Sequence, residues 1–179
     1  LAVFANPKGS DALRLGTEER VIKECIQMSN DRGLIALDEL HAATITDVRR
    51  ALLKGVYNIV HFSGHGTGKG LLLENPIGEP QLIPQEALAD LLSAYSPPIE
   101  CVILNACYSE FQGVELSSRI PYTIGMSGAI SDDAATEFTR GFYDAIGAGR
   151  KINFAFEEGY RAVKLANLSD GFAAVFFTL

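Results

Sequence analysis

Residues 59–71 read IVHFSGHGTGKGL, an apolar run that breaks into glycines bracketing a histidine and a lysine. Such a stretch is either a loop that cradles phosphate or a strand end that presents His65. A phosphate loop of the form G-x-x-x-x-G-K-[ST] requires glycine where this chain has Ser63, and a metal-binding hydroxyl where it has Gly70. The residues beyond, 71–73 and 81–83, pattern as a β-hairpin, whereas phosphate binding calls for a helix N-terminus. A dinucleotide fingerprint fails as well, since it opens a helix beside the first strand. The reading that survives is a buried strand over residues 57–62, then a tight loop carrying His65. Gly64 and Gly66 strip side chains from either side of the imidazole and leave room for a substrate backbone. A histidine so placed suits acid–base work, because its ordinary pKa lies near ~6.5.

Working outward, short apolar runs at residues 1–5, 34–40, 101–104, 122–126 and 172–179 read as further strands. Helical spacing appears over residues 15–31, where Val21, Ile22, Cys25 and Ile26 recur, with Gly33 placed as the terminal cap. Thr46 is the expected N-cap of a short helix ending at Lys54 and Gly55. Pro84 opens another helix, stopped by Pro97 and Pro98, and two more run over residues 132–145 and 151–165. Strands alternating with helices imply βαβ units, a mostly parallel sheet and helices over both faces, in one domain. Chemistry in such folds collects beyond the carboxyl ends of the strands. Two loops of that kind stand out, residues 63–70 and 105–109.

Fifteen basic against 22 acidic residues give a formal charge of −7. That balance argues against nucleic acid or an anionic membrane as partner, since both demand clustered Lys and Arg. No apolar run approaches the ~18 residues that span a bilayer. The chain starts at Leu1 rather than Met, which points to a domain excised from a longer polypeptide. Cys25, Cys101 and Cys107 are three, widely spaced and without a C-x-x-C pair, so neither a disulfide framework nor a structural zinc site is expected, and a reducing cytoplasm fits.

Cys107 follows the buried run CVILN and can come beside His65 where neighbouring parallel strands end. A thiol near an imidazole loses its proton more easily, and the thiolate is a strong nucleophile. Backbone N–H groups of Gly66 and Cys107 then form a candidate oxyanion hole. On spacing alone the alternative is a buried cysteine and a satisfied core histidine. His61 sits inside the apolar run and reads as core; His41 reads as surface.

At these residues a family resemblance enters. VHFSGHG (60–66) followed by VILNACYS (102–109) closely resembles the CHAT family of bacterial caspase-like domains. The opening LAVFANPKGSDALRLGTEERVIKE and the segment IGMSGAISDDAATEFTRGFYDAIGAG resemble the same family, so the likeness runs in order from about residue 1 to 165. It implies a caspase/hemoglobinase fold, three-layer αβα around a mostly parallel sheet, and a cysteine peptidase with Cys107 as nucleophile and His65 as general acid/base. It implies a protein or peptide substrate, no cofactor and no metal, sensor or regulatory modules elsewhere in the full-length protein, and a role in bacterial defence or regulated death. Caspases carry Q-A-C-x-G at the cysteine; here the run is N-A-C-Y-S, so caspase specificity does not transfer.

Ser63, Asn105 and Asp132 are the candidate substrate-binding residues. Basic-directed relatives place an aspartate two before the cysteine, where this chain has Asn105. Asp132 and Asp133 follow the next strand, where related folds place pocket acids, although Ser131-Asp132-Asp133 is equally a helix cap and first turn. Two other classes compete with the peptidase: a catalytically silent interaction module on the same fold, and a metal-dependent hydrolase using His61, His65 and Cys107.

Overall fold

In chain order the elements are β1 (Ala2–Ala5), α1 (Leu15–Met28), β2 (Glu39–Leu40), α2 (Ile45–Lys54), β3 (Ile59–Thr67), β4 (Gly70–Glu74) and β5 (Pro80–Pro84). They continue as α3 (Gln85–Ser93), β6 (Cys101–Asn105), α4 (Glu110–Ser117), β7 (Tyr122–Met126), α5 (Asp132–Gly147), α6 (Ile152–Leu165) and β8 (Ala174–Thr178). The computed structural model describes residues 1–29, 33, 35–169 and 171–179. These gather into two compact units.

The first unit, Leu1–Leu13 with Asp38–Ala129 and Ala174–Leu179, contains the sheet, ordered β2-β1-β3-β6-β7-β8. Every pairing along it is parallel except β7 with β8. Strands β1 and β6 are buried along their whole length, which is why they read as unbroken apolar runs rather than as alternation. Val3, Val60, Phe62, Val102 and Leu104 of the sheet join one core with Leu88 and Leu92 of α3 and Leu116 of α4. Full burial of each such side chain contributes about 1.5–3 kcal/mol.

Several expectations shift. The run ending β1 and the strands at 101–105 and 122–126 fall where expected, but the second strand is only Glu39–Leu40, and Leu34 lies outside the described residues. Helix α1 stops at Met28, capped by the extended Ser29 rather than by Gly33, and Asp31 is outside the described residues. Helix α4 is absent from the sequence-based expectation. Gly113 at its centre lowers helix propensity by about 1 kcal/mol, and it is there because a Cβ would stand 2.6 Å from the Phe177 ring of β8.

The N-cap of α2 is Thr44, not Thr46. Thr44 Oγ1 accepts from Asp47 N–H at 3.2 Å, and the Asp47 carboxylate accepts from Thr44 N–H at 3.1 Å and from its hydroxyl at 2.6 Å. Thr46 has no partner three residues on that could close such a reciprocal box. The hydrogen bonds from Thr44 hold the Asp47 carboxyl below its ordinary pKa. A depressed carboxyl stabilises the fold above its unfolded pKa and stops doing so as pH falls through the folded value. Thr44→Ala is therefore expected to lower stability by about 1 kcal/mol at neutral pH. In denaturant titrations that difference narrows below pH ~4.

The second unit, Arg14–Leu37 with Ile130–Ala173, packs α1 and α6 against α5. Phe138 is fully buried at its centre, with the rings of Phe142, Phe156 and Phe172 at centroid distances of 6.3, 5.9 and 5.7 Å. Helices α5 and α6 cross closely because Gly141 and Gly159 lack side chains; Cβ atoms there would stand 2.6 Å from the Glu158 carbonyl and 2.8 Å from the Phe138 ring. Buried Glu18 accepts from Thr139 Oγ1 at 2.8 Å. No helix among the described residues is long and apolar enough to cross a membrane.

Candidate active site

Strands β3 and β6 lie side by side in parallel, and their last paired residues are Ser63 and Asn105. Two residues further along each chain come His65 and Cys107. Both chains therefore deliver their chemistry at the same end of the sheet, as the general rule for parallel sheets requires.

The glycine stretch is not the loop the sequence suggested. Strand β3 runs on through Gly64, His65 and Gly66 to Thr67, exchanging its parallel neighbours for antiparallel β4, and only Gly68 and Lys69 form the turn. The glycines serve this change of partner rather than clearance for substrate. A Cβ on Gly64 would lie 2.6 Å from the Ala5 carbonyl, and one on Gly66 would collide with the Cys107 carbonyl and stand 3.0 Å from Ala106 Cβ. Gly66 thus packs its backbone directly on that of Cys107. Residues flanking a two-residue turn exchange hydrogen bonds, and bonded and non-bonded pairs alternate from there. Thr67–Gly70 and His65–Leu72 are bonded pairs; Gly66–Leu71 is not, so the Gly66 N–H points away from β4. A strand follows the turn, which leaves Lys69 without the helix terminus a phosphate loop needs.

Cys107 lies in the turn from β6 into α4. Buried Ser109 locks this turn, its hydroxyl donating to the Leu104 carbonyl at 2.7 Å and accepting from Met126 N–H at 2.9 Å. Tyr108 is held at φ +55°, a left-handed conformation that side chains with a Cβ rarely adopt, while its N–H donates to the Gly128 carbonyl at 3.0 Å. Strain of this kind persists only where surrounding bonds over-determine it. Gln112 of α4, wholly buried, donates from Nε2 to the Thr67 carbonyl at 3.0 Å and ties the cysteine's helix to the histidine's strand.

The three cysteines differ sharply. Cys25 is buried in the helical unit against the Arg140 carbonyl, and burial first, with Asp144 adding to it, pushes its thiol up to about 12. Cys101 is completely buried in β6, and burial drives its thiol higher still. Of the three, all among the described residues, Cys107 alone is partly exposed.

His65 Nε2 lies 2.9 Å from the Asp11 carbonyl and 3.1 Å from Asn6 Oδ1. A backbone carbonyl only accepts, so Nε2 carries the hydrogen and the neutral ring presents a bare Nδ1. Asn6 and Asp11 escaped the sequence reading, in which the first apolar run simply stops at residue 5. The available signal was register: Ala5 pairs with Gly64, which brings the residue after Ala5 level with His65.

Of the remaining candidates, Ser63 and Asn105 are buried at the paired ends of β3 and β6. Asp132 belongs to the helical unit, where its carboxylate accepts from Arg14 N–H at 2.9 Å beside an Asp133–Arg14 ion pair of 2.7 Å. Ser131 Oγ accepts from Ala134 N–H at 3.2 Å, so the capping role expected of this run is present. His61 is buried within β3, as read, and exposed His41 stacks on Phe4. Residues four apart on a strand are separated by about 13 Å. His61 and His65 therefore cannot share one metal ion.

A mostly parallel sheet flanked by helices is the caspase-like fold that the resemblance implies, and solved cysteine proteases share it. A secreted C11 cysteine protease from Bacteroides thetaiotaomicron, solved with an irreversible peptide inhibitor, matches with TM-score 0.61 and 16% identity over 92% of this chain and 58% of its own. The Arg-specific cysteine proteinase gingipain R (RGPB) matches with TM-score 0.66 and 12% identity, over 97% of this chain and 45% of its own. At such identities the likeness is one of fold, and the chain spans about half the length of either protease. No curated protein matches the sequence. The model of the CHAT domain family matches residues 1–164, and the chain belongs to that family.

Proposed function

We propose that this domain is a cysteine endopeptidase in which Cys107 is the nucleophile and His65 the general acid/base. The observation that carries the proposal is the delivery of His65 and Cys107 by adjacent strand ends, with Gly66 packed on the Cys107 backbone and His65 tethered through Nε2. Nδ1 takes the thiol proton as sulfur attacks the scissile carbonyl. The oxyanion is held by the N–H groups of Gly66 and Cys107, the former turned away from the hairpin ladder. The tetrahedral adduct collapses to a thioester, and Nδ1–H passes its proton to the departing amine. Water, deprotonated by Nδ1, then releases the acid and restores the thiol.

Both solved neighbours are proteases, and one was captured with a peptide inhibitor, which supports a protein or peptide substrate here. In this reading Ser63 and Asn105 form a neutral floor under the reacting pair. The domain works in the cytoplasm, within a larger protein whose other modules sense a signal, as part of a bacterial defence or death response.

Digestion of a mixed peptide library tests the reading. The wild-type domain is expected to cut, with a defined residue before the scissile bond. Intact peptides after prolonged digestion would refute it. The same library with Asp132→Asn tests the pocket: an unchanged residue preference assigns that carboxylate to Arg14 alone.

A further inference from the structure

We propose that Asn6 is the positioning residue of the His65–Cys107 pair, its amide oxygen joining the Asp11 carbonyl in holding the imidazole as the Nε2–H tautomer with Nδ1 free for the thiol proton. The proposal rests on the peptidase reading for its purpose, but its geometry stands alone. Nε2 faces two groups, and because the Asp11 carbonyl forces a hydrogen onto Nε2, Asn6 must present oxygen rather than NH₂ to it. A ring held at one nitrogen by two acceptors cannot flip without losing both bonds.

Asn6 is itself built in. It ends β1 because Pro7 has no N–H to continue the ladder and restricts the chain to φ near ~−65°. Its own N–H donates to Glu74 Oε1 of β4 at 3.2 Å. Beyond it, Lys8 N–H donates to the Gly78 carbonyl at 2.8 Å and Lys8 Nζ to the Ile77 carbonyl at 2.7 Å. Ser10 closes back on the Pro7 carbonyl through its N–H and hydroxyl. The segment that carries Asn6 is thus laced to the β4–β5 hairpin, which grows from His65's own strand. Acceptor and ring are fixed to one frame.

The residue type matters. A carboxylate at this position would orient the ring equally well but would hold it protonated, since an adjacent negative charge favours imidazolium. An amide oxygen selects the tautomer without that bias. Glu74 on β4 accepts from the Asn6 N–H, and Asp11 and, in the β3–β4 turn, Lys69 are exposed. Cys107 lies in the β6–α4 turn.

The test is nitrogen-15 NMR of His65 in the Cys107→Ala protein, which reads tautomer and titration without requiring turnover. The parent is expected to show the Nε2–H form. Asn6→Leu leaves the Asp11 carbonyl as the remaining acceptor of the two and is expected to raise the share of the Nδ1–H form. Asn6→Asp, nearly the same size, is expected to keep the Nε2–H form and move the titration midpoint up by at least about one pH unit. In the protein with Cys107 intact, Asn6→Leu lowers kcat about 10–100-fold with KM nearly unchanged, as expected when only orientation is lost. The same tautomer and midpoint in all three proteins would overturn the proposal. A wild-type domain that cuts no peptide would instead refute the peptidase reading, leaving the NMR result to stand or fall separately.

Discussion

Cys107→Ala and His65→Ala each abolish peptide hydrolysis, by at least ~10³-fold in kcat/KM, and the double variant is no worse than either single one. Non-additivity is the informative part. An imidazole whose every proton transfer lies on the covalent path opened by the thiol contributes nothing once the thiol is gone. Stability should be nearly unaffected, because Cys107 is partly exposed and neither side chain is part of the hydrophobic core. Initial rates on a fixed peptide, paired with denaturant curves for each variant, check both statements. Additive losses would mean the two residues serve separate ends.

Gly66→Ala comes next in size. Its Cβ would collide with the Cys107 carbonyl, backbone that cannot rotate away, so either β3 or the Ser109-locked turn must move. A displacement of about 1 Å at a reacting group lowers turnover about 100-fold, and that loss is expected here. Gly68→Ala is the control. A Cβ there meets only the Phe111 ring, at 3.5 Å, an ordinary contact. It should leave turnover intact and stability within about 0.5 kcal/mol. Equal losses in the two variants would show that the effect comes from stiffening the hairpin rather than from the contact with Cys107.

The strands that place the site were legible because burial on both faces leaves no alternation to misread: CVILN and the run before Phe62 could be little else. His65 and Cys107 were legible as residues, since glycines and a strand end mark both. What escaped was whatever depends on a partner distant in sequence. The continuation of β3 through SGHGT looked like a loop because alternate glycines carry no hydrophobic period, and only β4 makes it a strand. Helix α4 hid behind Gly113, whose purpose is Phe177. Thr46 was the cap expected, because the reach of the Asp47 carboxylate back to Thr44 N–H is a feature of the folded turn. Asn6 lies just past the apolar run at residues 1–5, and its contact with His65 depends on the β1–β3 register.

The account rests on Cys107 being the sulfur that carries the acyl group. Incubating the domain with a peptide bearing a thiol-reactive electrophile, then locating the adduct by mass spectrometry, measures this directly. One adduct on Cys107 is predicted, its formation slowed severely in His65→Ala, with Cys25 and Cys101 unlabelled because burial raises both thiols. An adduct on Cys25 or Cys101 instead, or labelling of Cys107 that is indifferent to His65, would contradict it.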